Sequence, residues 1–348
     1  MKTIPYRCDN SRHKALLGAA RSTGTSVQRL FDGLNQATIA WLLQGDVSIQ
    51  YQVRRDLLGE DPAALETLQR RIAAEGWGAR FLSLQRPDGH WGRGYYQPKW
   101  TSTHYTLLDI RNLEPPSDLP TVRCVMEKAL EEMTGPDGGI YFSPTFLREN
   151  RPSDVCINGT FLNMASYFRV TGMRLRELAD LLLASRMGDC GWNCEQWKGA
   201  THSSMHTTLS VLEGLTGFAG ADPGYRAKEI AQAINAGAEF LLKHQLYKSH
   251  RTGQTISEQF LMLSYPSRWR YDILRALDWF AKTGRPCDSR LEPALEILAR
   301  KRRPDGTWPL QNKHPGAVHF DMEAAGGSSR WNTLRAARVL AAYRGSGE

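Results

Sequence analysis

The residues with the clearest chemical potential are an aspartate, a cysteine and a histidine that open two apolar segments. Asp154 and Cys156 stand one residue apart in the stretch RENRPSDVCING, and His206 begins the next such segment. Carboxylate, thiolate and imidazole groups are ligands that Zn²⁺ accepts, and three protein ligands leave a fourth position open for catalysis. These residues therefore predict a catalytic zinc site in which the metal activates a bound thiol or water.

A second set of candidate ligands overlaps the first. Cys190 and Cys194 are four residues apart, and His202 and His206 have the same spacing. This spacing is typical of a closed, structural zinc site. Cys190, Cys194 and His202 are therefore alternative ligands, and Cys194 could also lie close to the metal of the first site. Simpler interpretations are that the cysteines are small buried residues and that Asp154 caps its helix.

Four similar segments indicate how the chain could position these residues. Each ends an amphipathic helix with a turn that contains Asp, Gly and usually an aromatic residue. The segments are LSLQRPDGHWG at 82–92, MTGPDGGIYF at 133–142, LLASRMGDCGWNC at 182–194 and ILARKRRPDGTWPL at 297–310. Glycine provides the positive φ that such a turn needs, and the aromatic side chain can pack between neighbouring helices. A spacing of about 50 residues leaves room for two helices in each repeat.

A more apolar helix is predicted after each turn. The expected apolar helices are 102–113, 155–170, 205–218, 269–283 and 330–343, the amphipathic helices are 121–133, 174–185, 225–245 and 291–302, and an initial pair is 38–44 with 49–58. No segment shows the alternation that is typical of strands. We expect an all-α fold in which six helix pairs form two concentric rings, an (α/α)₆ toroid with the apolar helices inside.

The repeat pattern resembles the prenyltransferase and squalene-cyclase repeat family over roughly residues 38–345. Protein prenyltransferase β subunits carry an Asp-x-Cys pair at the start of an inner helix and a His-Thr pair one repeat later. Asp154, Cys156 and His206 occupy the matching positions. The resemblance also implies that two basic residues, here Arg148 and Arg151, bind an isoprenoid diphosphate.

The chain departs from that family at two positions near the motif. Ile157 follows Cys156 where the family has a tyrosine, and a family histidine of the preceding repeat aligns near Ser102, with His104 close by. An Asp-x-Asp-Asp proton-donor motif is absent from the sequence, so cyclisation started by protonation is not predicted.

The resemblance implies an enzyme that transfers an isoprenoid or similar alkyl group from a (di)phosphate to a zinc-activated nucleophile. The alternative is a non-catalytic toroid that binds a ligand or a protein, with a structural zinc or none. Polar and aromatic residues near the starts of the inner helices are further substrate-binding candidates: Trp100, His104, Trp192, Tyr271 and Arg330.

Composition limits the remaining possibilities. The chain has 348 residues, a net charge of +8, scattered arginines and six cysteines. No block of basic residues predicts nucleic-acid binding, and no apolar run predicts a transmembrane helix. We expect a cytoplasmic protein whose partner is a small apolar or isoprenoid-type ligand with an anionic head, and peripheral membrane contact is compatible with its basic charge. Residues 1–37 are interpreted as a leader and 38–348 as one toroid domain.

Overall fold

The computed structural model describes residues 36–143, 145, 148–149 and 151–343. Residues 1–35, which hold nearly all of the predicted leader, lie outside the described residues. The described part of the chain contains thirteen α-helices and one pair of two-residue strands, Trp308–Pro309 and Ser328–Ser329, which are antiparallel. None of the described helices combines the length and the apolar character needed to cross a bilayer.

Six helices are buried on almost every side and form the inner ring. They are α2 (Val47–Asp56), α5 (Thr103–Leu113), α7 (Val155–Tyr167), α9 (Met205–Ala221), α11 (Ile273–Lys282) and α13 (Arg330–Tyr343). The outer helices bury only one face. They are α1 (Gln36–Leu43), α3 (Pro62–Arg71), α4 (Gly76–Ser83), α6 (Pro120–Met133), α8 (Met173–Ala184), α10 (Ala227–Lys243) and α12 (Glu292–Arg300).

The inner helices contact one another in chain order, and the last returns to the first. Helix α7 packs against α5 and α9, and α13 packs against α11 and α2. The Gln52 amide of α2 donates a 3.0 Å hydrogen bond to the Asn112 carbonyl of α5, and Arg275 of α11 pairs with Glu213 of α9. This closed arrangement confirms the predicted all-α toroid.

Three tryptophans repeat the same contacts at the turns between outer and inner helices. The indole N–H groups of Trp91, Trp192 and Trp308 each donate a 2.7 Å hydrogen bond to a carbonyl of the preceding outer helix. Their backbone N–H groups donate to a threonine hydroxyl at or near the start of the following inner helix. The predicted packing of the turn aromatics between helices is therefore confirmed. In the remaining turn Ile140 takes this position, and its N–H donates to Asn158.

Two parts of the helix prediction were wrong. Helix α3 was not predicted, although Asp61 followed by Pro62 is a helix-start signal and the Asp61 carboxylate accepts the Ala63 N–H at 2.8 Å. Helix α4 is the amphipathic helix expected before the turn at 82–92, for which no bounds were predicted. Helix α11 begins at Ile273 rather than at residue 269. The Asp272 carboxylate caps it by accepting the Arg275 N–H at 2.8 Å.

Candidate functional site

Asp154 stands at the N-cap of α7, but its side chain makes no hydrogen bond to that helix. Its Oδ1 instead accepts a 2.6 Å hydrogen bond from Arg151, and the two side chains are each about one-fifth exposed. The Arg151 guanidinium also stacks on the Trp197 ring at 5.0 Å. The carboxylate predicted to bind zinc is thus neutralised by a residue predicted to bind diphosphate.

Cys156 contacts Cys194 of the alternative ligand set. The Cys156 N–H, in the first turn of α7, donates to the Cys194 sulfur at 3.1 Å, and the Thr207 hydroxyl donates to it at 3.5 Å. A hydrogen bond from the Cys156 thiol lowers the pKa of Cys194, although burial opposes it. The same bond, together with burial, raises the pKa of Cys156 well above its ordinary value. Cys194 of the alternative set thus lies beside Cys156 of the first set.

His206 is engaged by the segment before α11. Its Nδ1 accepts a 2.8 Å hydrogen bond from the Tyr271 N–H, and its ring lies edge-on to Phe260 and Trp269. Burial, helped by the nearby Arg275, lowers the pKa of His206 to about 4. The imidazole is therefore neutral at pH 7, and one of its nitrogens is already bonded to the main chain.

The predicted zinc ligands do not assemble into a metal site. Among the residues that the structure describes, no group of three His, Cys, Asp or Glu side chains could hold a metal ion. Asp154 is bound to Arg151, Cys156 to Cys194, and His206 to the Tyr271 main chain. The alternative set does not assemble either, since His202 is exposed on its loop. The side chains present do not fit a zinc ion in this arrangement.

The other predicted substrate-binding residues make contacts within the protein. Arg148 is exposed. Trp100 donates its indole N–H to the Pro315 carbonyl at 2.7 Å, and Tyr271 donates its hydroxyl to the Leu246 carbonyl at 2.6 Å. Arg330 lies over the Trp41 ring at 4.4 Å. Trp192 fills its turn. These contacts position the inner helices and their loops.

His104 is the predicted residue that lies deepest in the protein. Its Nε2 is 3.1 Å from the Thr160 hydroxyl, and its Nδ1 has no hydrogen-bond partner in the described chain. Burial lowers its pKa to about 3, which keeps the ring neutral. Its ring contacts Tyr96, Tyr105 and Phe142.

A cavity of about 140 Å³ occupies the centre of the ring. Its wall combines apolar surface from Leu108, Tyr265, Trp279 and Trp331 with charged groups. Within the described residues, six cationic side chains and two carboxylates line it: Arg111, Arg268, Arg275, Lys282, Arg335 and Arg338, with Glu213 and Asp278. The signal in the sequence was the presence of charged residues inside helices that are otherwise apolar.

Most of these charges are paired. Arg275 binds Glu213 through two hydrogen bonds of 3.0 and 2.6 Å. Arg338 bridges Asp278 at 2.5 Å and Asp56 at 2.7 Å. The pairing is incomplete at Arg335, whose nearest carboxylate oxygens are 3.9 Å away although its side chain is only 8% exposed. Burial of such charges without close partners is costly unless another group neutralises them.

Arg111 has the least complete hydrogen bonding of the cavity cations. Its buried Nε has no hydrogen-bond partner in the described chain. The guanidinium lies over the Tyr167 ring at 5.5 Å. Arg111 can therefore offer a donor to a ligand without breaking an existing ion pair.

Asp109 lies beside the cavity and carries a free acceptor. Its Oδ2 accepts a 2.5 Å hydrogen bond from Arg268, whereas its Oδ1 is buried without a partner in the described chain. Burial raises the pKa of Asp109 to about 6, although Arg268 opposes this shift. A carboxyl group with a pKa near neutrality can both give and accept a proton.

The loop at 314–323 covers the other side of the Asp109–Arg268 pair. His319 Nε2 is 2.8 Å from the Thr106 hydroxyl, and Phe320 packs on Phe81 with ring centres 4.4 Å apart. A second cavity of about 30 Å³ lies under this loop and is lined by both Asp109 and Arg268. Arg268 therefore lines both cavities, whereas Asp109 lines the smaller one.

Comparison with known proteins finds a likeness in solved structures. No protein family profile matches the chain, and no curated protein matches its sequence. Similar solved structures include the type II terpene cyclase MstE from Scytonema without ligand, at 15% identity over 90% of this chain and 97% of that chain, with a TM-score of 0.42. An arginine-to-alanine variant of that enzyme with bound geranylgeranyl dihydroxybenzoate has 16% identity over 91% of this chain and 97% of that one, with a TM-score of 0.41. The likeness concerns the arrangement of helices alone.

Proposed function

We propose that this protein binds a small ligand of the isoprenoid phosphate type in the cavity at the centre of the ring. The observation that carries the proposal is the excess of cationic groups on the cavity wall. Phosphate oxygens accept hydrogen bonds from guanidinium groups, and these bonds are strong in a site that excludes water. An anionic head would offer acceptors to the cations of the wall that lack a close carboxylate partner among the described residues.

Two arginines are the best candidates for direct contact with the head group. The Nε of Arg111 lacks a partner within the described chain, and Arg335 has carboxylates only at 3.9 Å. Arg275 and Arg338, by contrast, have close carboxylate partners. The anion site proposed here therefore differs from the one predicted at Arg148 and Arg151, because Arg148 is exposed and Arg151 binds Asp154.

The rest of the cavity wall limits the size and polarity of the group that is attached to the anionic head. Leu108, Tyr265, Trp279 and Trp331 supply apolar and aromatic surface. A volume of about 140 Å³ is below the ~300–1,000 Å³ that encloses a drug-sized ligand. The ligand is accordingly a head group with a short apolar part, such as a five-carbon prenyl diphosphate.

Asp109 favours an enzyme over a passive binding protein. Its Oδ1 has no partner in the described chain, and its Oδ2 binds Arg268, whose side chain lines the central cavity. Acid–base transfer of this kind needs no metal, and no step of the proposal depends on the zinc site. Zinc-dependent transfer of the prenyl group remains a prediction of the sequence. Carbon NMR of the Asp109 carboxyl group tests its role, and a pKa below about 4.5 would argue against it.

Calorimetric titration tests the binding proposal. Dimethylallyl diphosphate and inorganic diphosphate should bind, whereas dimethylallyl alcohol, which lacks the charge, should not. Arg111→Gln should weaken diphosphate binding at least tenfold, or about 1.4 kcal/mol. Arg300→Gln, on the exposed end of α12, is the matched control and should bind like the parent. Absence of binding, or equal affinity in the two variants, would refute the proposal.

A further inference from the structure

Cys156 and Cys194 contact each other, and neither residue belongs to the proposed ligand site. Cys156 is in the first turn of α7, and Cys194 follows the Trp192 turn, 38 residues later in the chain. The Cys194 sulfur accepts the Cys156 N–H at 3.1 Å and the Thr207 hydroxyl at 3.5 Å. A sulfur that receives several donors at a helix start is held in the form that reacts.

We propose that Cys156 and Cys194 are a redox-active pair that peroxide converts into a disulfide. Both side chains are partly exposed, so a molecule as small as hydrogen peroxide can reach them. The Cys156 amide nitrogen, in the same residue as the second thiol, lies 3.1 Å from the Cys194 sulfur, so the two cysteines are direct neighbours.

The donors assign different roles to the two residues. The Cys194 thiolate attacks one peroxide oxygen, an S–O bond forms, the O–O bond breaks, and the departing hydroxide takes a proton to become water. The Cys156 thiol then loses its proton and attacks the Cys194 sulfur. The S–S bond forms as the S–O bond breaks, and a second water leaves. Both sulfurs are oxidised by one electron, and one peroxide is reduced to two waters.

The disulfide would connect the start of α7 covalently to the loop that precedes α9. This link closes a loop of the chain across two neighbouring inner helices. Because a cross-link restricts the unfolded chain, the oxidised protein should melt at a higher temperature than the reduced protein.

Peptide mass spectrometry of the full-length protein tests the pair. After brief treatment with hydrogen peroxide and blocking of free thiols, the parent should yield a linked peptide that joins Cys156 to Cys194. Cys124→Ser, an exposed cysteine of α6, is the matched control and should yield the same product. Failure to find the linked peptide in the parent or in this control would overturn the proposal.

A second measurement separates the two roles. In Cys156→Ser the attack on peroxide still occurs but the disulfide cannot form, so dimedone should label a sulfenic acid at Cys194. In Cys194→Ser, dimedone should leave Cys156 unlabelled. Labelling of Cys156 instead of Cys194 would contradict the proposed order. None of these outcomes depends on whether the central cavity binds diphosphate.

Discussion

Gly159 and Gly214 face each other where α7 crosses α9, with only backbone between the two helices. A Cβ atom on Gly214 would lie 2.3 Å from the Gly159 carbonyl oxygen, and one on Gly159 would lie 2.7 Å from the Ser210 carbonyl oxygen. This contact allows α7 and α9 to pack more closely than helices with larger residues at the crossing. It sets the spacing of the two helices that carry Cys156 and His206.

Replacing Gly214 by alanine should therefore destabilise the fold. The added methyl group meets main chain, which cannot rotate away, so we expect a loss of about 1–3 kcal/mol in the free energy of unfolding. Gly220→Ala, on the same helix, is the control. A Cβ there would meet nothing within 4 Å, and alanine should stabilise the helix by about 0.5–1 kcal/mol. Urea unfolding of both variants measures this contrast, and shifts of the same sign would contradict the packing.

Removing Arg338 should take the closest cation from Asp278 and an arginine partner from Asp56, which Arg55 also binds. The guanidinium bonds Asp278 and Asp56, and the arginine side chain is 7% exposed. We expect Arg338→Met to lower the free energy of unfolding by about 3–5 kcal/mol. Adding Asp278→Asn should recover part of this loss, because the buried carboxylate that has lost its closest cation is then removed. Arg300→Met, at an exposed position, should change stability little; a similar loss there would show that the effect is not specific to the buried pairs.

The neutral His206 should make stability depend on pH. Its pKa is about 4 in the folded protein, against about 6.5 when unfolded. Between these values the unfolded chain binds a proton that the folded protein does not. Stability should therefore fall by up to about 3 kcal/mol as pH drops from 6.5 to 4.

His206→Asn isolates this contribution, since asparagine can still accept the Tyr271 N–H but does not titrate. Denaturation between pH 4 and 7 should show a smaller pH dependence in this variant than in the parent. His202→Asn, on the exposed loop nearby, should retain the parent's profile. Identical profiles for the His206 variant and the parent would contradict the buried, neutral imidazole.

The stability of the protein should depend on single hydrogen bonds made by the turn tryptophans. Trp192→Phe removes the indole N–H that bonds the Leu182 carbonyl at 2.7 Å and leaves space in a site with no solvent exposure. We expect a loss of about 1–3 kcal/mol, measured by thermal melting. Trp197 is 45% exposed, so Trp197→Phe should shift the melting temperature much less. Equal shifts in melting temperature would mean that the buried position of Trp192 adds no stability beyond that of an exposed tryptophan.

The repeat architecture could be predicted from the sequence because its signals are local. A helix start such as Arg330, or a turn such as the one at Asp189 and Gly191, depends on residues a few positions apart. Such local signals do not depend on how distant parts of the chain pack against each other. Helix α3 was missed because its start signal at Asp61 and Pro62 lay outside the repeat on which the prediction was based.

The sequence by itself determined that apolar helices would start near Cys156 and His206, and that charged residues such as Arg338 would lie on such helices. Tertiary structure alone decided what these side chains meet. A helix start specifies where a residue stands along the chain, but the partner comes from a segment tens to hundreds of residues away, as Cys194 does for Cys156 and Asp56 for Arg338. Closure of the ring therefore turned the predicted ligands towards separate partners and gathered the arginines around a central cavity.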